Sequence, residues 1–282
     1  NGMGKKWKWL AKIFAFFGAC VGLMGIGTFS QVNGISSAVV GFFDPNCENT
    51  VTIFGNTYSI VTVISGVIIA LCAGLVIIGG LKRISSVSQV VVPFMALLYI
   101  IAVVVLLICN ITKIPAAIVE IIEGAFGIRP IAGGMLASML ISMRNGVARG
   151  IFSNESGLGS APIAAAAAKT HEPVRQGLIS MTGTFIDTIV ICTMTGLSIV
   201  MMGSWSNEAL QGVQVTTDAF QKGLHFLPAQ AASFILMICL VFFAFTTILG
   251  WNYYGERCLE YLSGKNKVAV MIYRILYIAA VF

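Results

Sequence analysis

Long apolar runs alternate with short polar stretches along this chain. The runs cover 10–43, 58–80, 89–112, 176–203, 231–251 and 268–282, with a seventh over 131–169 that is apolar at both ends and polar in the middle. Most reach the roughly 20 residues an α-helix needs to cross a bilayer. Two shorter stretches, 115–126 and 216–226, alternate apolar and polar faces with helical spacing and are too short to span. They are expected as surface helices, either lids over a vestibule or loops resting on headgroups.

Charge orders these segments. Basic residues collect on the cytoplasmic side of membrane proteins. With Lys5, Lys6, Lys8 and Lys12 inside, alternation also puts Lys82, Arg83, Lys169, Arg175, Arg257, Lys265 and Lys267 inside. The outer loops then hold Lys113, Arg129 and Lys222 beside the acids Asp44, Glu48, Glu120, Glu123, Glu208 and Asp218. This pattern works only if 131–169 crosses once, so that segment is expected to be a single interrupted helix.

Composition narrows the class. Hydrophobic residues make up 57% of the 282 and charged residues 10%, against about 25% charged in soluble domains. Lipid is therefore the expected solvent, and the chain is expected to be an all-α polytopic membrane protein. The net charge of +6 follows the inside-positive pattern and does not imply nucleic acid. Seven cysteines, without CxxC spacing, are expected as small hydrophobes rather than ligands. The start at Asn1 and the stop at Phe282 inside an apolar run suggest a piece of a longer protein.

Candidate chemistry concentrates in the interrupted segment, which carries Arg144, Arg149, Ser153, Asn154, Glu155, Gly157, Gly159 and Pro162. Ionisable groups at membrane depth cost about 2.5–3.5 kcal/mol each on insertion scales and normally face a cavity or a partner. An unwound stretch there exposes backbone carbonyls and helix ends that bind ions and charged substrate groups; a structural kink with an Arg–Glu pair is the alternative. Asp187, mid-run beside Thr184 and Thr188, could be a cation ligand, a proton carrier or the partner of Arg144 or Arg149. Thr246 and Thr247, with the carbonyl of Phe243, offer a small oxygen cluster suited to a monovalent cation, although such threonines often bond back to their own helix. In the first run, Gly25, Gly27, Thr28, Ser30, Gln31 and Asn33 form a polar, small-residue stripe, and both amides are expected to point inward. HExxH, P-loop and nucleophile-elbow motifs are absent, and His171 and His225 fall in loops on opposite faces.

The run GVARGIFSNESGLGSAP, followed by AAAAKTHEPVRQGLISMTGTFIDTIVICTMT, closely resembles the most distinctive stretch of the alanine or glycine:cation symporter (sodium:alanine symporter) family. FAFTTILGWNYYGERCLEYL at 243–262 and the opening GMGKKWKWLAKIFAF fit it as well. The resemblance implies a partial leucine-transporter-type inverted-repeat fold, running from helix 3 through helix 8 into helix 9, with helices 1 and 2 missing. It implies a sodium site at Phe243, Thr246 and Thr247. It also implies substrate contacts at Gly25, Gly27, Gln31, Asn154, Glu155, Gly157 and Trp251, and leaves Asp187 as an ion or proton site.

The expected function is therefore sodium-coupled symport of alanine or glycine across the plasma membrane, with no enzymatic activity. Three rivals stand beside it: proton coupling through Asp187 or Glu155, a channel, and a membrane enzyme acting on a lipid-linked substrate through Glu155, Asp187 and the arginines.

Overall fold

The computed structural model describes residues 4–282 apart from 26, 47, 54, 127–133 and 171. Cys47, Arg129, the first three residues of the 131–169 segment and His171 thus lie outside the described residues. The protein is predominantly helical. Among the described residues, five helical stretches are long and apolar enough to cross a membrane: Lys8–Phe43, Ile60–Ile78, Gly80–Cys109, Pro173–Met201 and Ala229–Leu262. Leu71, Leu75, Val90 and Ile108 are more than 60% exposed on these helices, which suits lipid rather than water. The chain divides into two compact units, 1–99 with 234–282, and 100–233.

In the first unit, the apolar run 10–43 is two helices rather than one: α1 (Lys8–Met24) and α2 (Phe29–Phe43). Between them the Thr28 hydroxyl donates to the Leu23 carbonyl at 2.8 Å. It thereby satisfies a helix-end acceptor that apolar surroundings would otherwise leave unpaired. The following polar stretch folds into an antiparallel hairpin, β1 (Thr50–Ile53) and β2 (Asn56–Ser59). Its tight connection uses Gly55 at φ +84°, a conformation glycine reaches without steric cost. Ser59 ends the hairpin and begins α3 (Ile60–Ile78): its hydroxyl accepts from the Val61 amide at 3.3 Å and donates to buried Asp44 at 2.9 Å. That single residue caps a helix and anchors the loop.

Gly80 turns α3 into α4 (Gly80–Cys109), and the chain returns to this unit through α11 (Ala229–Leu262) and α12 (Lys267–Val281). Helix α3 packs against α2 and α12, and α1 against α12. Helix α4 begins well before the apolar segment 89–112, and α11 extends past both ends of 231–251, because hydropathy marks the lipid-facing part of a helix and not its hydrogen-bonded length. Past the apolar part of α11, charged residues keep the helix occupied. The Arg274 guanidinium donates to both carboxylate oxygens of buried Glu256, at 2.8 and 2.7 Å. Arg257 bridges Glu256 and Glu260 at 3.0 and 2.5 Å. Two-point pairing of this kind fixes orientation as well as charge, and it ties α11 to α12.

The second unit holds the end of α4, then α5 (Ile114–Ala125), α6 (Gly134–Asn154), the short α7 (Ala161–Ala165), α8 (Pro173–Phe185), α9 (Thr193–Met201) and α10 (Val213–Gly223). A π-helical stretch, Ile186–Cys192, joins α8 to α9 without a break. Amphipathic α5 packs on α6 and α9, and α10 packs on α9. The Asn110 side chain ends α4 by donating to the Leu106 carbonyl at 2.9 Å and the Gly223 carbonyl at 2.8 Å. That pair of bonds seats the end of α10 against α4.

Candidate functional site

The expected site residues fall in both units, and each group is described within its own. In the first unit, Gly27 lies in the break between α1 and α2, where a Cβ would run into the Cβ of Trp251 and stand 2.8 Å from its Cγ. Only glycine permits this approach of backbone to indole. Trp251 is 7% exposed and meets Tyr254 edge-on at 5.6 Å. Gly25 donates its amide to the Val21 carbonyl at 3.0 Å and ends α1. The Gln31 side chain is half-buried, whereas Asn33, also expected inward, is exposed. Residues two apart on a helix point in different directions, so one face could not take both amides.

On α11, the hydroxyls of Thr246 and Thr247 both donate to the Phe243 carbonyl, at 2.9 and 3.0 Å. Three oxygens are thus gathered on one turn. Both hydroxyls thus bond back to their own helix, the alternative named from sequence, and each retains lone pairs as an acceptor. An all-oxygen set suits a hard monovalent cation, so these residues fit sodium by donor chemistry. Among the described residues, no group of three or more His, Cys, Asp or Glu side chains could hold a metal.

In the second unit, α6 ends at Asn154 with a left-handed cap. Glu155 takes φ +52°, and the Ser156 amide reaches back to the Ile151 carbonyl at 3.1 Å. Glycine usually fills that position, and a larger residue there costs about 1–2 kcal/mol. The Ser160 hydroxyl holds the Glu155 carboxylate at 2.7 Å. Gly157 and Gly159 follow at φ +80° and +81° and carry the chain through the interruption to α7.

The π-helical stretch stands against this end. Ser153 donates to the Asp187 carboxylate at 2.5 Å, and the Asn154 amide donates to the Thr188 hydroxyl at 2.6 Å and to the Gly150 carbonyl at 3.0 Å. The Asn154 side-chain oxygen is buried without a partner among the described residues. Isolated π turns often mark functional sites, and this one aims Asp187 and Thr188 at the helix end. Asp187 thus partners Ser153; among the described residues neither Arg144 nor Arg149 forms an ion pair, and both are exposed.

The model of the sodium:alanine symporter family matches residues 1–282. The chain belongs to that family. It is 50% identical over 275 residues to an uncharacterized transporter of Haemophilus influenzae, covering 97% of this chain and 56% of the relative. It is 42% identical over 287 residues to the sodium/alanine symporter AgcS of Methanococcus maripaludis, covering 100% of this chain and 56% of that protein. With the amino-acid carrier protein AlsT of Bacillus subtilis, identity is 35% over 281 residues, covering 100% and 54%. The chain spans about half the length of the curated relatives it matches. The family resemblance drawn from the motif at 146–162 is borne out, and the family is one of transporters rather than enzymes.

Residue-by-residue reading missed three participants. Asn252, next to Trp251, is fully buried with both amide atoms unpartnered among the described residues. Tyr273 and Tyr277, from α12, hydrogen-bond to backbone carbonyls of α1, α11 and the break. An Asn just past the end of the 231–251 apolar run was a visible signal; nothing in the sequence marked the tyrosines.

Proposed function

We propose that the whole protein of which this chain is a part, or which it constitutes, carries alanine, or a comparably small neutral amino acid such as glycine, across the plasma membrane in symport with sodium. Membership of the sodium:alanine symporter family over the full 282 residues carries this reading, and the relative named a sodium/alanine symporter supports the substrate. Sodium binds the Thr246 and Thr247 hydroxyls with the Phe243 carbonyl. The residues proposed to contact the amino acid are Gly25, Gly27, Gln31, Trp251, Asn154, Glu155 and Gly157. The architecture is the leucine-transporter type, in which broken helices expose backbone groups to substrate and rocking of a helix bundle alternates access. The interruption at 155–160, in the segment taken as helix 6, supports that assignment. The N-terminal end faces the cytoplasm, on the strength of the basic loops.

A second reading, proton coupling, rests on the position of Asp187, whose carboxylate lies beside the α6 interruption against Ser153. Radiolabelled alanine uptake into proteoliposomes separates the two. Accumulation that requires an inward sodium gradient supports sodium symport. Uptake driven by a pH gradient without sodium moves coupling to Asp187, and no alanine uptake under either gradient removes the substrate assignment.

A further inference from the structure

Two tyrosines on one face of α12 reach across the first unit to backbone carbonyls of α1, α11 and the break between α1 and α2. Tyr273 is 5% exposed and Tyr277 is fully buried. The Tyr273 hydroxyl donates to the Ala19 carbonyl in α1 at 3.0 Å. The Tyr277 hydroxyl lies 3.0 Å from the Gly27 carbonyl in the break and 2.7 Å from the Ile248 carbonyl on α11. A phenol has one proton, so these two carbonyls share a single donor, and that donor ties α12, α11 and the break together.

The surroundings are built to admit these hydroxyls. A Cβ at Gly22 on α1 would stand 2.8 Å from the Tyr273 oxygen, and one at Gly255 on α11 would run into it. Two helices thus each give up a side chain for one hydroxyl. Gly27, whose carbonyl Tyr277 holds, is the residue that abuts Trp251. The tyrosine contact and the indole contact therefore act on the same peptide from opposite partners.

We propose that Tyr273 and Tyr277 are positioning residues for the substrate half-site at Gly25, Gly27 and Trp251, holding the 25–28 break in its binding-competent shape from α12. The identity of the substrate rests on the symporter reading; the positioning role does not. Removing the Tyr277 hydroxyl leaves the ring packed and takes the donor from the Gly27 carbonyl in the break, whereas the Ile248 carbonyl keeps its place in the α11 helix ladder. The break then relaxes, and substrate affinity falls by about tenfold, the factor expected for one buried hydrogen bond.

The test uses the whole protein carrying Tyr277→Phe or Tyr273→Phe, with Tyr261→Phe as control, in two assays. Hydrogen exchange by mass spectrometry reads the break directly. Faster exchange over 19–31 in both variants, with 60–78 unchanged, supports the positioning role, and exchange equal to the control in Tyr277→Phe overturns it. Sodium-driven alanine uptake reads the consequence. A KM about tenfold higher with maximal rate within twofold is expected for Tyr277→Phe. A fall in maximal rate at unchanged KM overturns the link to substrate binding. Failure of the parent protein itself to take up alanine counts against the symporter reading alone, and exchange still decides the tyrosines.

Discussion

Adding one methyl group at Gly27 tests whether the break between α1 and α2 is seated on Trp251. In Gly27→Ala, the new Cβ collides with the Trp251 Cβ and stands 2.8 Å from its Cγ and 3.0 Å from the Gly22 carbonyl oxygen. Carbon atoms prefer about 3.5–4.0 Å, so the stem of the indole must retreat by about 1 Å. The contact is with the root of the side chain, which cannot swing away as a flexible tip does, and Trp251 is 7% exposed. Overpacking of this kind costs about 1–3 kcal/mol, partly offset by about 0.4–1 kcal/mol from a less flexible unfolded chain. For a protein of this size that corresponds to a melting temperature lower by roughly 2–6 °C. Because a displacement of about 1 Å at a binding group can cost on the order of 100-fold in activity, alanine KM is expected to rise about tenfold or more. Gly34→Ala is the matched control: it lies within α2, and its Cβ meets nothing within 4 Å. It should gain about 0.5–1 kcal/mol of helix stability and leave KM alone. Thermal melts of detergent-purified protein and uptake kinetics read both quantities. Wild-type melting and KM in Gly27→Ala, or an equal loss in Gly34→Ala, refutes the close approach as the cause.

Other expectations address separate parts of the molecule. Thr247→Ala removes one of the two hydroxyls on the Phe243 carbonyl and should raise the half-saturating sodium concentration about three- to tenfold; an unchanged value in sodium-titrated uptake sinks the site. Asp187→Asn removes the charge beside Ser153 and, under sodium coupling at α11, should leave sodium half-saturation within about twofold; a sharp loss of pH dependence in its uptake would instead favour proton coupling. Asn252→Leu replaces an amide without a partner by an apolar group of similar size. It should not lower the melting temperature, since an unpaired buried amide costs about 1–3 kcal/mol, and a drop of several degrees would show that the amide finds a partner in the whole protein. On α10, burial pushes the Asp218 carboxyl up, but Lys222, 2.6 Å away, together with the Ser204 hydroxyl, more than offsets this and leaves it below its ordinary value. A lowered carboxylate stabilises above its unfolded value of about 3.9 and loses that contribution as pH falls through its folded value. Exchange over 213–223, corrected for intrinsic rates, should therefore be flat from about pH 8 to 5 and rise only in acid below about 4; a rise between about pH 5 and 8 contradicts the pairing.

The helical, membrane-spanning class could be read from sequence because lipid leaves the backbone few options. With no water to satisfy peptide groups, a long apolar run must be a helix, so runs such as 58–80 and 89–112 announced their structure without reference to any neighbour. The family was legible for a different reason: a long motif around Ser153–Pro162 and another around Thr246–Trp251 are specific as strings. Hydropathy could not show where a helix breaks when the break is itself apolar. Gly25–Thr28 looks continuous with its flanks, and the split depends on the Thr28 hydroxyl, the Tyr277 hydroxyl and the Trp251 stem, partners from 5 to 250 residues away. Nor could composition tell that Glu155 would take a left-handed cap, that Asp187 would sit on a π turn facing Ser153, or that Asn33 would turn away from Gln31. The sequence by itself determined the solvent, the helices and the family, all properties of local runs and strings. The tertiary structure decided which carbonyl each hydroxyl satisfies, because in an apolar interior a polar group is directed by the nearest available partner, and in this fold those partners come together only when distant helices pack.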